Sequence, residues 1–120
     1  MPPAPSQSLQ VTDASLLTVG RLRIDPTQHR VWLEGQGHRE LHLSAREFVL
    51  LKCLASHAGG VVPIQDLVKA THDYDTDPID AGRLIRPMIL SVRRKLGLAE
   101  GEIGSIVNVR GVGYRLVVPE

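Results

Sequence analysis

The stretch RLIRPMILSVRRKLG, residues 83–97, carries five of the fourteen basic side chains of this 120-residue chain on a single predicted helix. At about 100° per residue, its apolar and basic positions separate onto two sides of a helical wheel. One side holds Ile85, Met88, Ile89, Val92 and Leu96, and the other holds Arg83, Arg86, Pro87, Leu90 and Arg94. Because no acidic residue interrupts the run from Arg83 to Lys95, the basic side would repel itself unless an anionic partner lay against it.

The charge is also polarised along the whole chain. Although the formal net charge is only +1, residues 83–115 carry seven basic and two acidic side chains, and residues 1–82 carry seven basic and ten acidic ones. A run of charged residues is commonly no more than the solvent-exposed side of a helix. A helix with one purely basic side, however, also fits the major groove of DNA, where its arginines reach phosphates and guanine edges. The sequence therefore predicts double-stranded DNA as the partner.

Pro87 interrupts this predicted helix. Proline removes one backbone hydrogen bond and clashes with the carbonyl group four residues before it. We therefore expect a short turn near Asp80–Leu84 and a main helix that starts close to Arg86, with Pro87 in its first turn. The alternative is a kinked, continuous helix.

Strand patterns lie on both sides of the helical region. Apolar and polar residues alternate at 22–24, 31–33 and 41–43, which predicts a small antiparallel sheet with one buried face. Near the C-terminus, residues 106–109 and 114–118 are β-prone and are joined by RGVG, whose glycines permit a tight hairpin turn.

Two more helices are predicted between these strands. Ser44 and Glu47 have the spacing of a capping box, and apolar residues at helical spacing follow until Gly59 and Gly60 end the helix. The stretch PIQDLVKAT predicts a second, shorter helix with Pro63 near its first turn. An acidic loop, HDYDTDPID, then leads to the basic helix.

Several classes of function find no support in the sequence. No apolar run approaches the length of a membrane span, and the Pro- and Ser-rich start, MPPAPSQSLQ, has no apolar core of a secretory signal. The lone Cys53 is typical of a reducing, cytoplasmic compartment. The five histidines have no cysteine pair beside them, and we identify no catalytic residues, no metal ligands and no cofactor motif, so we do not expect an enzyme. Residues 1–15 are predicted to be a disordered tail or linker, and residues 16–118 one domain.

Three segments carry a family resemblance. In order and spacing, SAREFVLLKCLASHAGGVV (44–62), SVRRKLG (91–97) and NVRGVGYRL (108–116) resemble the OmpR/PhoB-type winged-helix DNA-binding domain, the output module of many bacterial response regulators. The resemblance covers roughly residues 16–118. It implies an α+β winged helix-turn-helix: an N-terminal four-stranded antiparallel sheet, a three-helix core and a C-terminal β-hairpin wing.

The resemblance also implies how such a domain acts. The third helix enters the major groove, the wing arginine approaches the minor groove, and the domain is a monomer alone but a tandem dimer on DNA. Together with the helical wheel, it predicts the DNA-binding residues Arg83, Arg86, Leu90, Ser91, Arg93, Arg94, Asn108 and Arg110. The alternative is a winged-helix protein-interaction module that no longer binds DNA.

The acidic loop is predicted to face a different partner. Asp73, Asp75 and Asp77 would be repelled by phosphates, and the corresponding loop of the family contacts RNA polymerase. We therefore expect this loop to face the polymerase and not the DNA.

Overall fold

The structure, a computed structural model, describes residues 16–119, so the tail or linker predicted at 1–15 lies outside the described residues. The described chain forms two antiparallel sheets and three helices. In chain order the elements are β1 (Leu17–Val19), β2 (Leu22–Asp25), β3 (Arg30–Leu33), β4 (Arg39–Leu41), α1 (Ala45–Ser56), β5 (Val62–Pro63), α2 (Ile64–His72), α3 (Pro78–Leu96), β6 (Ile106–Val109) and β7 (Gly113–Leu116).

The N-terminal sheet has four strands in sequence order, β1-β2-β3-β4, each antiparallel to the next. Leu22 is opposite Leu33 and Ile24 is opposite Val31 in the register. All four side chains are buried, as their alternation with polar residues predicted. The α+β class and the four-stranded sheet are confirmed.

The capping box at the start of α1 is also confirmed. The Ser44 Oγ accepts a hydrogen bond from the Glu47 backbone N–H at 3.1 Å, and Glu47 Oε1 accepts one from the Ser44 N–H at 2.9 Å. The helix ends at Ser56, shortly before Gly59, whose φ of +87° suits glycine. Its buried side packs against β1, β7 and the other two helices.

The C-terminal hairpin belongs to a three-stranded sheet in the order β5-β7-β6. In the turn, Gly111 has a φ of +78°, which glycine adopts without strain. Gly113 has a different role: a Cβ atom there would lie 2.0 Å from the Val62 carbonyl oxygen. The turn is further attached to α2, because the Ile64 N–H donates to the Val112 carbonyl at 3.1 Å.

The prediction that the main basic helix starts near Arg86 is wrong: α3 is continuous over Pro78–Leu96, with Pro87 inside it. The Asp77 side chain caps this helix by accepting from the Asp80 N–H at 2.9 Å, so the predicted acidic loop is shorter, and Pro78–Asp80 form the first helical turn. Pro87 and Arg83 are both on the exposed side, where water can reach the carbonyl that Pro87 leaves without a donor.

Packing on both sides of Pro87 keeps α3 in one piece. Ala81 and Ile85 precede the proline, Ile89 and Val92 follow it, and each is 1% exposed or less. The buried apolar surface on both halves therefore outweighs the lost hydrogen bond. None of the helices within residues 16–119 has the length and apolar character needed to cross a membrane.

Candidate nucleic-acid interface

Three of the predicted DNA-binding residues line one cleft. An open cleft of about 360 Å³ separates α3 from the wing, and Arg86, Asn108 and Arg110 lie along it. None of its lining residues is acidic. Arg86 is placed by a glycine one turn earlier: its guanidinium nitrogens lie 3.0 and 3.2 Å from the position that a Cβ of Gly82 would occupy. The fold thus brings together cations that are 24 positions apart in the sequence.

The outer side of α3 continues this basic surface. Arg83, Arg86, Leu90 and Arg94 are all exposed, and Leu90 exposes 57% of its surface although it is apolar. Arg83 forms one exposed ion pair, with Asp80 at 3.6 Å, whereas Arg86 and Arg94 form none with any residue in the described range 16–119. An exposed leucine between unpaired arginines suits a surface that is covered by a partner.

On the wing, Asn108 and Arg110 are exposed. Asn108 lies in β6, and Arg110 is the first residue of the turn, which the Val112 N–H closes by donating to the Val109 carbonyl at 3.0 Å. Because this turn is attached to both β5 and the start of α2, Arg110 projects from a fixed support.

Ser91 has a protein partner. Its hydroxyl donates to Glu47 Oε2, and Lys95 Nζ donates to Glu47 Oε1 at 2.7 Å. Burial raises the pKa of Glu47, but hydrogen bonds from Lys95, Ser91 and the Ser44 backbone outweigh that effect and lower the pKa to about 2. Glu47 therefore stays ionised and connects the start of α1 to the last two turns of α3.

Arg93 also has protein partners. Its Nε donates to the Ile106 carbonyl at 3.1 Å, and its guanidinium carbon lies 5.9 Å from the centre of the Tyr114 ring. Arg93 is half-buried, in contrast to the exposed Arg94 next to it. The structure thus divides the basic helix into outward cations and cations that hold the helix to the rest of the domain.

Sequence reasoning missed Arg39 in β4. Its Nη1 donates to the Lys95 carbonyl at 3.0 Å, and its Nη2 donates to the Leu96 carbonyl. A cation at the C-terminal end of a helix satisfies carbonyls that have no partner in the helix and interacts favourably with the helix dipole. Arg39 is 56 residues away from Lys95, and no local sequence signal marks this pairing.

The acidic loop consists of residues 73–77. Asp73, Asp75 and Asp77 are all exposed, and Asp77 also caps α3. Asp73 adopts a left-handed conformation (φ +61°) where α2 ends. Two exposed apolar side chains lie in or beside this loop: Tyr74 within it, at 46% exposure, and Ile79 in the first turn of α3, at 71%. Within residues 16–119, no group of three or more His, Cys, Asp and Glu side chains could hold a metal ion.

A family model described as "Transcriptional regulatory protein, C terminal" matches residues 38–116. The chain belongs to this family. Among relatives of this transcriptional-regulator domain, the transcriptional regulatory protein CutR of Streptomyces coelicolor is 34% identical over 95 residues, 79% of this chain and 40% of CutR. The response regulator protein PmrA of Pseudomonas aeruginosa is 33% identical over 103 residues, 86% of this chain and 42% of PmrA. The chain thus spans about two fifths of the length of the curated relatives it matches.

Solved structures give the same family fold. The DNA-binding domain of CpxR from E. coli matches with a TM-score of 0.75 at 30% identity, over 88% of this chain and 98% of that one. The RstA DNA-binding domain of Klebsiella pneumoniae, crystallised in complex with the RstA box, matches with a TM-score of 0.73 at 31% identity, over 85% and 96%. The predicted winged-helix architecture is therefore confirmed.

Proposed function

We propose that this domain binds double-stranded DNA in a sequence-specific manner as the output domain of a bacterial transcriptional regulator, with α3 in the major groove and the wing at the minor groove. The observation that carries the proposal is the cleft between α3 and the wing, where Arg86, Asn108 and Arg110 come together and no acidic side chain intervenes. A helix and a cationic hairpin tip on one side of a domain suit two neighbouring grooves of one duplex.

The side chains divide into three kinds of contact. Arg86 and Arg94 read guanine edges or bind phosphates, and exposed Leu90 is suited to the methyl group of thymine. Asn108, which lies in β6 two residues before Arg110, donates to a phosphate beside the wing. Arg110 inserts into a narrow, A·T-rich minor groove, whose enhanced negative potential attracts a long cation. Arg83, at the exposed N-terminal end of α3, adds a phosphate contact.

The test is a salt titration, monitored by fluorescence anisotropy, of two mixed-sequence duplexes, one with and one without an A·T-rich flank. We expect the logarithm of the binding constant to fall linearly with the logarithm of salt concentration, with a slope of about −0.9 for each neutralised phosphate. Arg110→Ala should weaken binding most on the A·T-flanked duplex. The matched control is Lys52→Ala, which removes one exposed cation outside α3 and the cleft and should leave affinity unchanged.

Two results would contradict the proposal. If the parent chain shows no binding at low salt, the alternative of a protein-interaction module takes its place. If Arg110→Ala binds every duplex as the parent does, the minor-groove part of the mechanism is wrong.

The acidic loop supports a second partner, RNA polymerase. Asp73 and Asp75 are exposed beside Tyr74 and do not line the basic cleft, so this surface remains accessible when DNA occupies α3 and the wing. A negative surface with apolar side chains suits a protein partner better than it suits a polyanion.

The longer relatives and the DNA partner support the remaining parts of the proposal. We propose that the domain acts in the cytoplasm, where bacterial DNA is found, within a response regulator of a two-component phosphorelay, and that two copies bind tandem DNA sites while the free domain is a monomer. CutR is named a transcriptional regulatory protein and PmrA a response regulator protein. Each is more than twice as long as the segment of it that this chain matches.

A further inference from the structure

Arg93 connects the recognition helix α3 to both strands of the wing hairpin. Its Nε donates to the carbonyl of Ile106, the first residue of β6, and its guanidinium group lies over the ring of Tyr114 in β7. Arg115 and Arg110, the other arginines of the wing region, make no such contact with α3 among the bonds of residues 16–119. One side chain thus spans the two elements that are proposed to read DNA.

The Ile106 carbonyl needs this donor. Carbonyl groups alternate in direction along a strand, and the neighbouring Ser105 carbonyl accepts from the Val117 N–H on the β7 side. The Ile106 carbonyl therefore points to the edge of β6 on which no other strand of residues 16–119 pairs. The bond is only partly buried, and Arg93 and Ile106 line an open cleft, so without Arg93 this carbonyl would exchange a protein donor for water.

The position of Arg93 on α3 explains why it turns inward. It lies four residues after Ile89 and three before Leu96, both 1% exposed, so all three share one side of the helix. Arg94 instead follows Arg86 and Leu90 on the outward side. Lysine could not replace it, because arginine combines a directed N–H donor with a flat cationic group that stacks on an aromatic ring.

We propose that Arg93 is a positioning residue, which fixes the wing relative to α3 and supports DNA binding by holding Arg110 in place, without neutralising a phosphate itself. This rests on the proposed DNA-binding function. Replacing a residue that acts through Arg110 no longer changes DNA affinity once Arg110 is absent. Replacing a residue that contacts a phosphate itself still lowers DNA affinity in that background.

A double-mutant cycle between Arg93→Met and Arg110→Ala tests this, with affinity and salt dependence measured by anisotropy on the mixed-sequence duplex with an A·T-rich flank. We expect Arg93→Met alone to weaken binding by about three- to tenfold, the size of one net hydrogen bond. In the Arg110→Ala background we expect no further loss and no further change in the salt slope. The matched control, Arg94→Met in the same background, should weaken binding again, because Arg94 contacts DNA independently of Arg110.

Arg93→Lys covers the case in which Arg93→Met does not fold, which thermal melting would reveal. Lysine retains the charge but not the planar group. We therefore expect Arg93→Lys to bind more weakly than the parent when Arg110 is present. In the Arg110→Ala background, we expect Arg93→Lys to cause no further loss of affinity.

Additive loss with Arg93→Met together with a slope reduced by about 0.9 would overturn the positioning role and assign Arg93 to a phosphate. Parent-like binding by Arg93→Lys would overturn it as well. In both cases the parent still binds DNA, so only the role of Arg93 is wrong. If the parent itself does not bind DNA, the proposed function is wrong, and the role of Arg93 with it.

Discussion

The Glu47 carboxylate accepts hydrogen bonds from the Ser44 backbone, Ser91 and Lys95 at the same time. Its local partner, Ser44, was predictable because a capping box has a fixed spacing in sequence. Ser91 and Lys95 are 44 and 48 residues away, and only the folded chain brings them to this carboxylate. A helical wheel gives the direction of a side chain but not the group that lies there, so the contacts of Ser91 with Glu47 and of Arg93 with Ile106 could not be predicted from it.

Replacing Glu47 with glutamine should make stability less dependent on pH. The folded pKa of about 2 lies below the ordinary 4.5, so the ionised carboxylate stabilises the fold above pH 4.5 and this stabilisation is lost as the pH falls towards 2. We expect Glu47→Gln to lower the free energy of unfolding by roughly 3 kcal/mol at pH 7, and by progressively less as the pH falls.

Urea unfolding of both proteins across this pH range measures the difference. The control is Glu100→Gln, which removes an exposed carboxylate and should change stability little at any pH. A difference between Glu47→Gln and the parent that stays constant from pH 7 to pH 3 would show that the charge of Glu47 contributes nothing.

Gly113 offers a test of backbone packing at the wing. Since a Cβ would lie 2.0 Å from the Val62 carbonyl oxygen, Gly113→Ala must separate β5 from β7. We expect a loss of about 1–3 kcal/mol in the free energy of unfolding, the usual cost of inserting a group into a packed region. Gly111→Asn, at a turn position with nothing within 4 Å of its Cβ, should be nearly neutral, because asparagine tolerates its positive φ. Equal stability of the two variants would contradict the close approach.

At the scale of elements, local signals predicted most of the fold. Alternation identified β2 and β3, a capping box identified α1, and two β-prone runs joined by glycines identified the wing. The alternation at 41–43 overlaps β4 (Arg39–Leu41) only at Leu41. The prediction of where α3 starts was wrong because packing elsewhere along the helix decides whether a proline interrupts it, and the local sequence around Pro87 does not show that packing. The position of Arg39 at the end of α3 was not predictable either, since it depends on how β4 meets that helix.

Pro87→Ala should stabilise the domain. Alanine restores the N–H group that can donate to the Arg83 carbonyl, and it removes the ring clash in the interior of α3. We expect the free energy of unfolding to rise by about 1–3 kcal/mol in urea. Pro78→Ala is the control, because a proline in the first turn replaces an amide that has no partner in the helix. A less stable Pro87→Ala would mean that α3 needs the proline to keep its shape.

The acidic loop can be neutralised without disturbing the helices on either side. Asparagine retains the left-handed conformation of Asp73 and the capping oxygen of Asp77, so the variant Asp73→Asn, Asp75→Asn, Asp77→Asn removes three charges and keeps both helix ends. We expect lower transcription in vitro with DNA affinity equal to or slightly above that of the parent. Loss of DNA binding by a variant with unchanged melting would show that the loop contacts DNA.

At the scale of the whole molecule, one core joins the N-terminal sheet, the helices and the wing sheet. The family model matches residues 38–116, yet Leu22, Ile24, Val31 and Leu33, which precede that range, are buried in the same core. β1 to β3 are therefore part of the domain that presents α3, although they lie outside the matched residues.

The free domain should be a monomer in solution. The apolar residues of both sheets and the helices already pack into one core, and the most exposed apolar residues of the described chain, Ile79 and Leu90, lie on surfaces assigned to other partners. We expect multi-angle light scattering to give the mass of one chain without DNA, and of two chains on a duplex that carries two direct repeats. A stable dimer without DNA would contradict the tandem arrangement.

The division of α3 into outward and inward cations limits how its specificity can be redesigned. If α3 reads DNA as proposed, we expect an exchange of positions 83, 86, 90 and 94 with those of another regulator to transfer its operator preference. Ser91 and Lys95 bind Glu47, and Arg93 contacts Ile106 and Tyr114. A helix graft that also replaced positions 91, 93 and 95 would break these contacts, and α3 would lose the orientation in which it presents its outward side chains.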